Sequence, residues 1–175
     1  MTERLNDLIL VDCYDCPIGT AGKAEAHAAP LLHRAFSVFL INDNGELLLQ
    51  KRAAGKYHSG GLWTNACCSH PRMGEQTVPS AEARMTEELG VTCPLREIGD
   101  FVYLHRFADR LYEYEYDHVL LGHHNGPFTP DPGEIDVLRW VGPAALEQEL
   151  RETPEGFAPW FLTAAPMVLR QLAKT

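Results

Sequence analysis

Apolar residues in this chain recur with two different periods, and the periods assign the elements. Leu8–Asp12 and the unbroken run AFSVFLI at Ala35–Ile41 read as strands. NDNG at 42–45 is a turn signal, so Glu46–Gln50 is expected to return as a hairpin partner. Within Thr77–Gly90, Val78, Ala81, Met85 and Leu89 recur at helical spacing, with Pro79 suited to a first turn and Gly90 to a stop. Ile98–Leu104 and Leu111–Leu121 read as two further strands joined through His105–Arg110, and Ile135–Val141 as another. A helix is expected from Pro143 and a last one across Trp160–Lys174, whereas the small-residue stretch Gly19–Pro30 reads as a loop. Strands alternating with helices, without repeat, low-complexity tract or linker, predict one α/β domain over residues 1–175, built as a mixed-sheet sandwich.

A chain of 175 residues with 45% hydrophobic content can bury one core. Its formal charge of −9 argues against a nucleic-acid or anionic-membrane partner, so an anionic ligand must be met by a local cluster of cations or by metal. No apolar run approaches the roughly 18 residues of a membrane span, and MTERLNDLILVDC lacks a long signal-peptide core. Five cysteines, an odd number with two of them adjacent, fit reduced thiols and a cytoplasmic protein better than a disulfide framework.

Two stretches concentrate reactive groups. In LWTNACCSHP, at 62–71, strand alternation puts Cys68 and His70 on one face and Asn65 and Cys67 on the other. Taken alone, that pair reads as an inert buried thiol beside a satisfied histidine. In YEYEYDHVLL, at 112–121, the same alternation separates Glu113, Glu115 and Asp117 from Tyr112, Tyr114 and Tyr116. Carboxylates two residues apart on a strand stand about 7 Å from one another and can converge on one cation. A solvent-facing acidic edge is the plain alternative.

Three smaller features admit two readings each. Cys13 and Cys16 have zinc or redox spacing, but no second pair follows and Pro17 suggests a turn. Lys51, Arg52 and Lys56, just after the hairpin, would ordinarily be a solvated patch. Arg84, Glu87 and Glu88 share one helical face, as intrahelical ion pairs do.

Taken together, KAEAH at 23–27, LHRAFS at 32–37, TNACCSHP at 64–71, EELG at 87–90 and EYEYD at 113–117 resemble type I isopentenyl diphosphate isomerase. The likeness runs in order from about Leu8 to Leu172. It implies a Nudix-like α/β/α sandwich, and the chain carries a decayed Nudix box, G-x5-E-x7-R-E-U-x-E-E-x-G-U, between Ser69 and Val91. Glu75 and EELG fit the box, but Ser69 replaces its first Gly, and Ala83 and Arg84 replace its Arg-Glu pair. The lost glutamate belongs to the hydrolytic metal site of Nudix pyrophosphatases, which counts against a hydrolase. The His27–His33 loop is also a residue shorter than the bacterial pattern.

Position by position, the resemblance implies Cys68 and Glu115 as catalytic residues, Tyr103 as their assistant and Trp160 as the lining of a prenyl pocket. It implies His27, His33, His70, Glu113 and Glu115 as ligands of one tightly bound divalent metal, Mn2+ or Zn2+. Glu88 would ligate a Mg2+ that arrives with the substrate, and Lys23, Arg52, Lys56 and Arg84 would bind the diphosphate. The implied activity interconverts isopentenyl and dimethylallyl diphosphate with no organic cofactor; the partner is a small prenyl diphosphate. Three rivals remain: a Nudix hydrolase, a non-catalytic metal-binding module, and a Cys68–His70 hydrolytic dyad.

Overall fold

The computed structural model describes residues 7–56 and 58–174; the first six residues of the N-terminal stretch MTERLNDLILVDC lie outside it. Among the described residues, nine strands form one mixed sheet. They are β1 (Leu8–Val11), β2 (Pro17–Ala21), β3 (His33–Ile41), β4 (Leu47–Arg52), β5 (Trp63–Thr64), β6 (Cys67–Ser69), β7 (Leu95–Ala108), β8 (Leu111–His123) and β9 (Ile135–Val141). The helices are α1 (Lys23–Ala28), α2 (Thr77–Leu89), α3 (Pro143–Glu152) and α4 (Phe161–Leu172).

β3 is the hub. It pairs in parallel with β8 from His33↔Glu115 to Ile41↔His123, and antiparallel with β6 from Phe36↔Ser69 to Val38↔Cys67. β8 continues into a long antiparallel hairpin with β7, and β4 pairs with β9 and β5. Alternation along β3 and β8 then divides the core in two. Phe36, Val38, Leu40 and Leu120 meet Ala81, Met85 and Leu89 of α2. Phe39, Val119 and Leu121 meet Leu146 of α3 and Phe161, Ala165 and Val168 of α4. Helices therefore cover both faces, as the predicted α/β/α sandwich requires.

Several expectations are corrected. Gly19–Pro30 is not a loop: β2 pairs with β1 through Ile9↔Thr20 and Leu8↔Ala21, and α1 follows. An exposed edge strand and a six-residue helix that buries only Ala26 and His27 leave no apolar period to read. Leu62–Ser69 is two short strands rather than one, because Asn65 interrupts it and its side-chain amide donates to the carbonyls of Val38 and Cys67. The hairpin of β3 and β4 closes through a single residue pair, Ile41↔Leu47, before β4 turns to β9; Lys51 and Arg52 belong to β4 itself. β7 and β8 run past Ile98–Leu104 and Leu111–Leu121 because their polar ends keep pairing.

Candidate active site

The site is the polar end of the sheet face that carries α3 and α4. His33, Ser37 and Phe39 alternate onto that face from β3, and Glu113, Glu115, Asp117, Val119 and Leu121 from β8. The register sets His33 opposite Glu115, Ser37 opposite Cys68 and Tyr103 opposite Glu115. One strand face thus runs from an apolar core into a cluster of imidazoles and carboxylates. The acidic face of β8 points inward: Glu113, Glu115 and Asp117 are 2%, 7% and 1% exposed, which removes the solvent-edge reading.

One pocket gathers most of the residues singled out in the sequence. Lys23, Arg52, Lys56, Cys68, His70, Arg84, Glu88, Tyr103, Glu113, Glu115 and Trp160 all line it. His27 and His33 are buried, 4% and 0% exposed, and do not line it. Cys68 faces this side, while Cys67 is buried against α2, as the alternation predicted. Burial pushes the Cys68 thiol up to about 12, so it holds its proton. The hydrolytic dyad does not form. His70 Nε2 contacts Glu115 Oε1 at 2.7 Å instead.

Glu115 has three close neighbours, His70 among them. Tyr103 donates to its Oε2 at 2.6 Å, and His33 Nε2 lies 3.7 Å from its Oε1. Burial pushes Glu115 upward, but the imidazoles of His33 and His70 beside it outweigh that and hold the group well below the carboxylate range. Burial, with Glu115 beside it, raises the Tyr103 phenol well above its usual value, so it remains a donor. Two residues on, Asp117 is raised by burial and by Glu115, and Ser37 donates to it at 2.8 Å.

One ligand atom from each of His27, His33, His70 and Glu113 comes within 4.8 Å of the others. The ring centroids of the three histidines are 5.0 to 5.9 Å apart. His33 Nδ1–H donates to the Leu31 carbonyl at 2.7 Å, which turns Nε2 into the cluster, where it has no hydrogen-bond partner. Burial, reinforced by the neighbouring imidazoles, lowers His27 to about 3, and burial lowers His70 to about 4. Three buried imidazoles and a carboxylate suit Zn2+ or Mn2+ better than Mg2+. Glu115 stands at the edge of this group rather than inside it.

At the other end, α2 presents its ion-paired face. Arg84 Nε contacts Glu88 Oε1 at 2.6 Å, and its two terminal nitrogens contact Glu87 and Glu134, each at 3.0 Å. Lys56 closes on the other oxygen of Glu134. The bland reading of Arg84, Glu87 and Glu88 is therefore correct for this state, yet the same cations line the pocket. Arg52 lies 5.3 Å from the Trp160 ring centroid, and the Trp160 indole donates to Asn65. Cys13 and Cys16 are exposed at the β1–β2 turn and take no part.

Sequence reasoning missed His58 and Glu134. His58 Nε2 contacts Glu113 Oε1 at 2.6 Å, and Glu134 joins Lys56 to Arg84. Both sit in loops without period, and neither spacing to a partner is local; a titratable residue in a glycine-rich loop was the one available signal.

A sheet of this topology with a carboxylate- and imidazole-lined pocket places the chain in a class, and the comparisons agree. The NUDIX domain model matches residues 31–161. A Deinococcus radiodurans crystal structure superposes with a TM-score of 0.75 at 20% identity, covering 95% of this chain and 98% of that one. A MutT protein from Methanosarcina mazei gives 0.66 at 17%, covering 82% and 96%. At such identities these two speak for the fold alone. "Isopentenyl-diphosphate Delta-isomerase 2" of Photorhabdus laumondii is 46% identical, over 88% of this chain and 87% of its own. "Isopentenyl-diphosphate Delta-isomerase" of Burkholderia multivorans is 45% identical, over 92% and 90%. The chain belongs to the NUDIX domain family and, within it, to the isopentenyl-diphosphate Delta-isomerases.

Proposed function

We propose that this enzyme interconverts isopentenyl and dimethylallyl diphosphate by adding a proton to the terminal alkene carbon and removing one from C2. The observation that carries this is the convergence of Cys68, Glu115, Tyr103 and Trp160 with Lys23, Arg52, Lys56 and Arg84 on one pocket. Relatives named for the same isomerisation support it. The substrate is electrically divided, with a polyanionic head and an apolar tail, and the pocket lining supplies both cations and aromatic rings.

An unactivated alkene is a poor base, so a proton source must be held close to it in a dry site. A thiol that keeps its proton and a carboxylate that stays ionised differ by the one proton that must enter and leave. The donor ends deprotonated and the acceptor protonated, and the reverse reaction exchanges the roles. Tyr103 orients Glu115 and supplies a hydrogen bond to it. Trp160 offers an aromatic face to the cationic carbon skeleton, worth about 2 kcal/mol when desolvated.

His27, His33, His70 and Glu113, with Glu115 adjoining, would hold one divalent ion, Mn2+ or Zn2+. When bound, it supplies positive charge that keeps Glu115 ionised and in place. Lys23, Arg52, Lys56 and Arg84 bind the diphosphate oxygens, and Lys56 and Arg84 exchange their present carboxylate partners for phosphate. Glu88 would complete the shell of the Mg2+ that accompanies the substrate. No organic cofactor enters this scheme. Five free thiols, Cys67 and Cys68 adjacent, fit a reducing compartment such as the cytoplasm.

The test is purified protein, Mg2+ and isopentenyl diphosphate in deuterium oxide. Allylic product and deuterium in the recovered substrate are expected. Release of phosphate without isomerisation would instead mark a hydrolase and overturn the proposal.

A further inference from the structure

Glu113 faces two ways. Its Oε2 lies 3.5 Å from His27 Nε2 and 4.0 Å from His33 Nε2, inside the imidazole cluster. Its Oε1 points outward and contacts His58 Nε2 at 2.6 Å. His58 is delivered by the loop between β4 and β5.

The described residues of that loop carry several restraints. Its ends are tied by Arg52 N–H to the Leu62 carbonyl and Gly61 N–H to the Arg52 carbonyl. At Gly60 a Cβ would stand 2.6 Å from the Ala54 carbonyl oxygen, so only glycine allows the chain to fold back so closely. Gly61 follows with φ of +76°. The His58 ring stacks on Phe107 at 4.4 Å and meets the Trp160 ring edge-on at 5.9 Å, and the side chain is 5% exposed. Arg52 also donates to the His58 carbonyl at 3.4 Å. The ring is thus clamped by aromatic contacts, leaving its Nε2 aimed at one carboxylate oxygen.

We propose that His58 is a positioning residue for the metal centre: it occupies Glu113 Oε1 and so presents Oε2 alone to the ion held with His27, His33 and His70. A carboxylate with both oxygens unrestrained can swing between one- and two-oxygen binding or rotate away. A second hydrogen bond to the outer oxygen removes that freedom, and such partners typically govern metal affinity by about 10- to 100-fold. Loop and metal centre are coupled through this contact, because whatever orders Glu113 also pins the loop against Trp160.

This inference rests on the metal-site reading above, and the experiment separates the two. His58→Phe keeps the ring on Phe107 and Trp160 but removes the donor; His58→Gln places an amide N–H near the same point. Zn2+ and Mn2+ affinities are measured by chelator competition on substrate-free protein, with thermal unfolding as the folding control. The expected result is a loss of about tenfold or more in His58→Phe, with His58→Gln restored to within about threefold of the parent and His27→Ala losing the ion. His58→Phe binding as tightly as the parent while His27→Ala fails would overturn the role of His58 alone. If the parent itself binds neither ion, or His27→Ala binds as well as the parent, the metal-site reading falls and takes this one with it.

Discussion

At the scale of single residues, neighbours in sequence have opposite environments. Cys67 is wholly buried among Ala81, Met85 and Leu89, whereas Cys68 lines the pocket. Cys67→Ala should keep turnover at a cost of about 1 kcal/mol of stability. Cys68→Ala should abolish turnover and leave the fold intact. Equal losses of activity in two folded variants would contradict this assignment. Because Cys68 keeps its proton up to about pH 12, alkylating reagents at neutral pH should modify exposed Cys13 and Cys16 first. Peptide mapping after brief alkylation checks that order. Glu88, 4% exposed and tied to Arg84, stands outside the four-donor group. Glu88→Gln should therefore retain the tightly bound ion, by elemental analysis, and lose activity; loss of that ion would merge the two sites into one.

At the scale of elements, α2 shows how a helix end can serve a site. Its last turn carries Glu88, and its C-terminal carbonyls are met by Thr129 N–H on Leu89 and Asp131 N–H on Glu88, both at 2.8 Å. Gly90 ends the helix with φ of +69°, and a Cβ there would stand 3.0 Å from that of Thr129. Gly90→Ala combines a left-handed residue with this crowding and should cost about 1–2 kcal/mol, read as a lower thermal midpoint. The helix itself was legible from four apolar positions and a glycine. α1 was not, because six residues with two buried ones make no stripe, and its His27 matters through the cluster rather than through a pattern.

For the whole molecule, the imidazole cluster ties the short helix α1 to the central strands of the sheet. His27 belongs to α1, His33 to β3, His70 follows β6 and Glu113 lies on β8. Chelation should therefore lower hydrogen-exchange protection in residues 23–33 and spare α3 and α4, which rest on their own apolar core. His27, His58 and His70 set the acid limit of the metal-free protein. Burial holds His27 and His58 near 3 and His70 near 4, below the unfolded value of 6.5. The unfolded chain then binds more protons than the folded one, so stability falls as pH drops from about 6.5 towards 4. Thermal midpoints of chelated protein across that range should decline steadily; a flat profile would mean that these rings are charged in the folded state.

The order and type of the main elements were written in local periodicity, which depends only on neighbouring residues. So was the sharing of faces: strand geometry sends Cys68 with His70, and Glu113 with Glu115, whatever the rest of the chain does. Which face turns inward was not local. It follows from the parallel pairing of β3 with β8, which sets His33 beside Glu115 and hides a row of carboxylates that alternation alone would equally allow at the surface. The partners of His58 and Glu134 were hidden for the same reason. Loops carry no period, and only the packed sheet brings a loop imidazole to Glu113 and a distant carboxylate between Lys56 and Arg84.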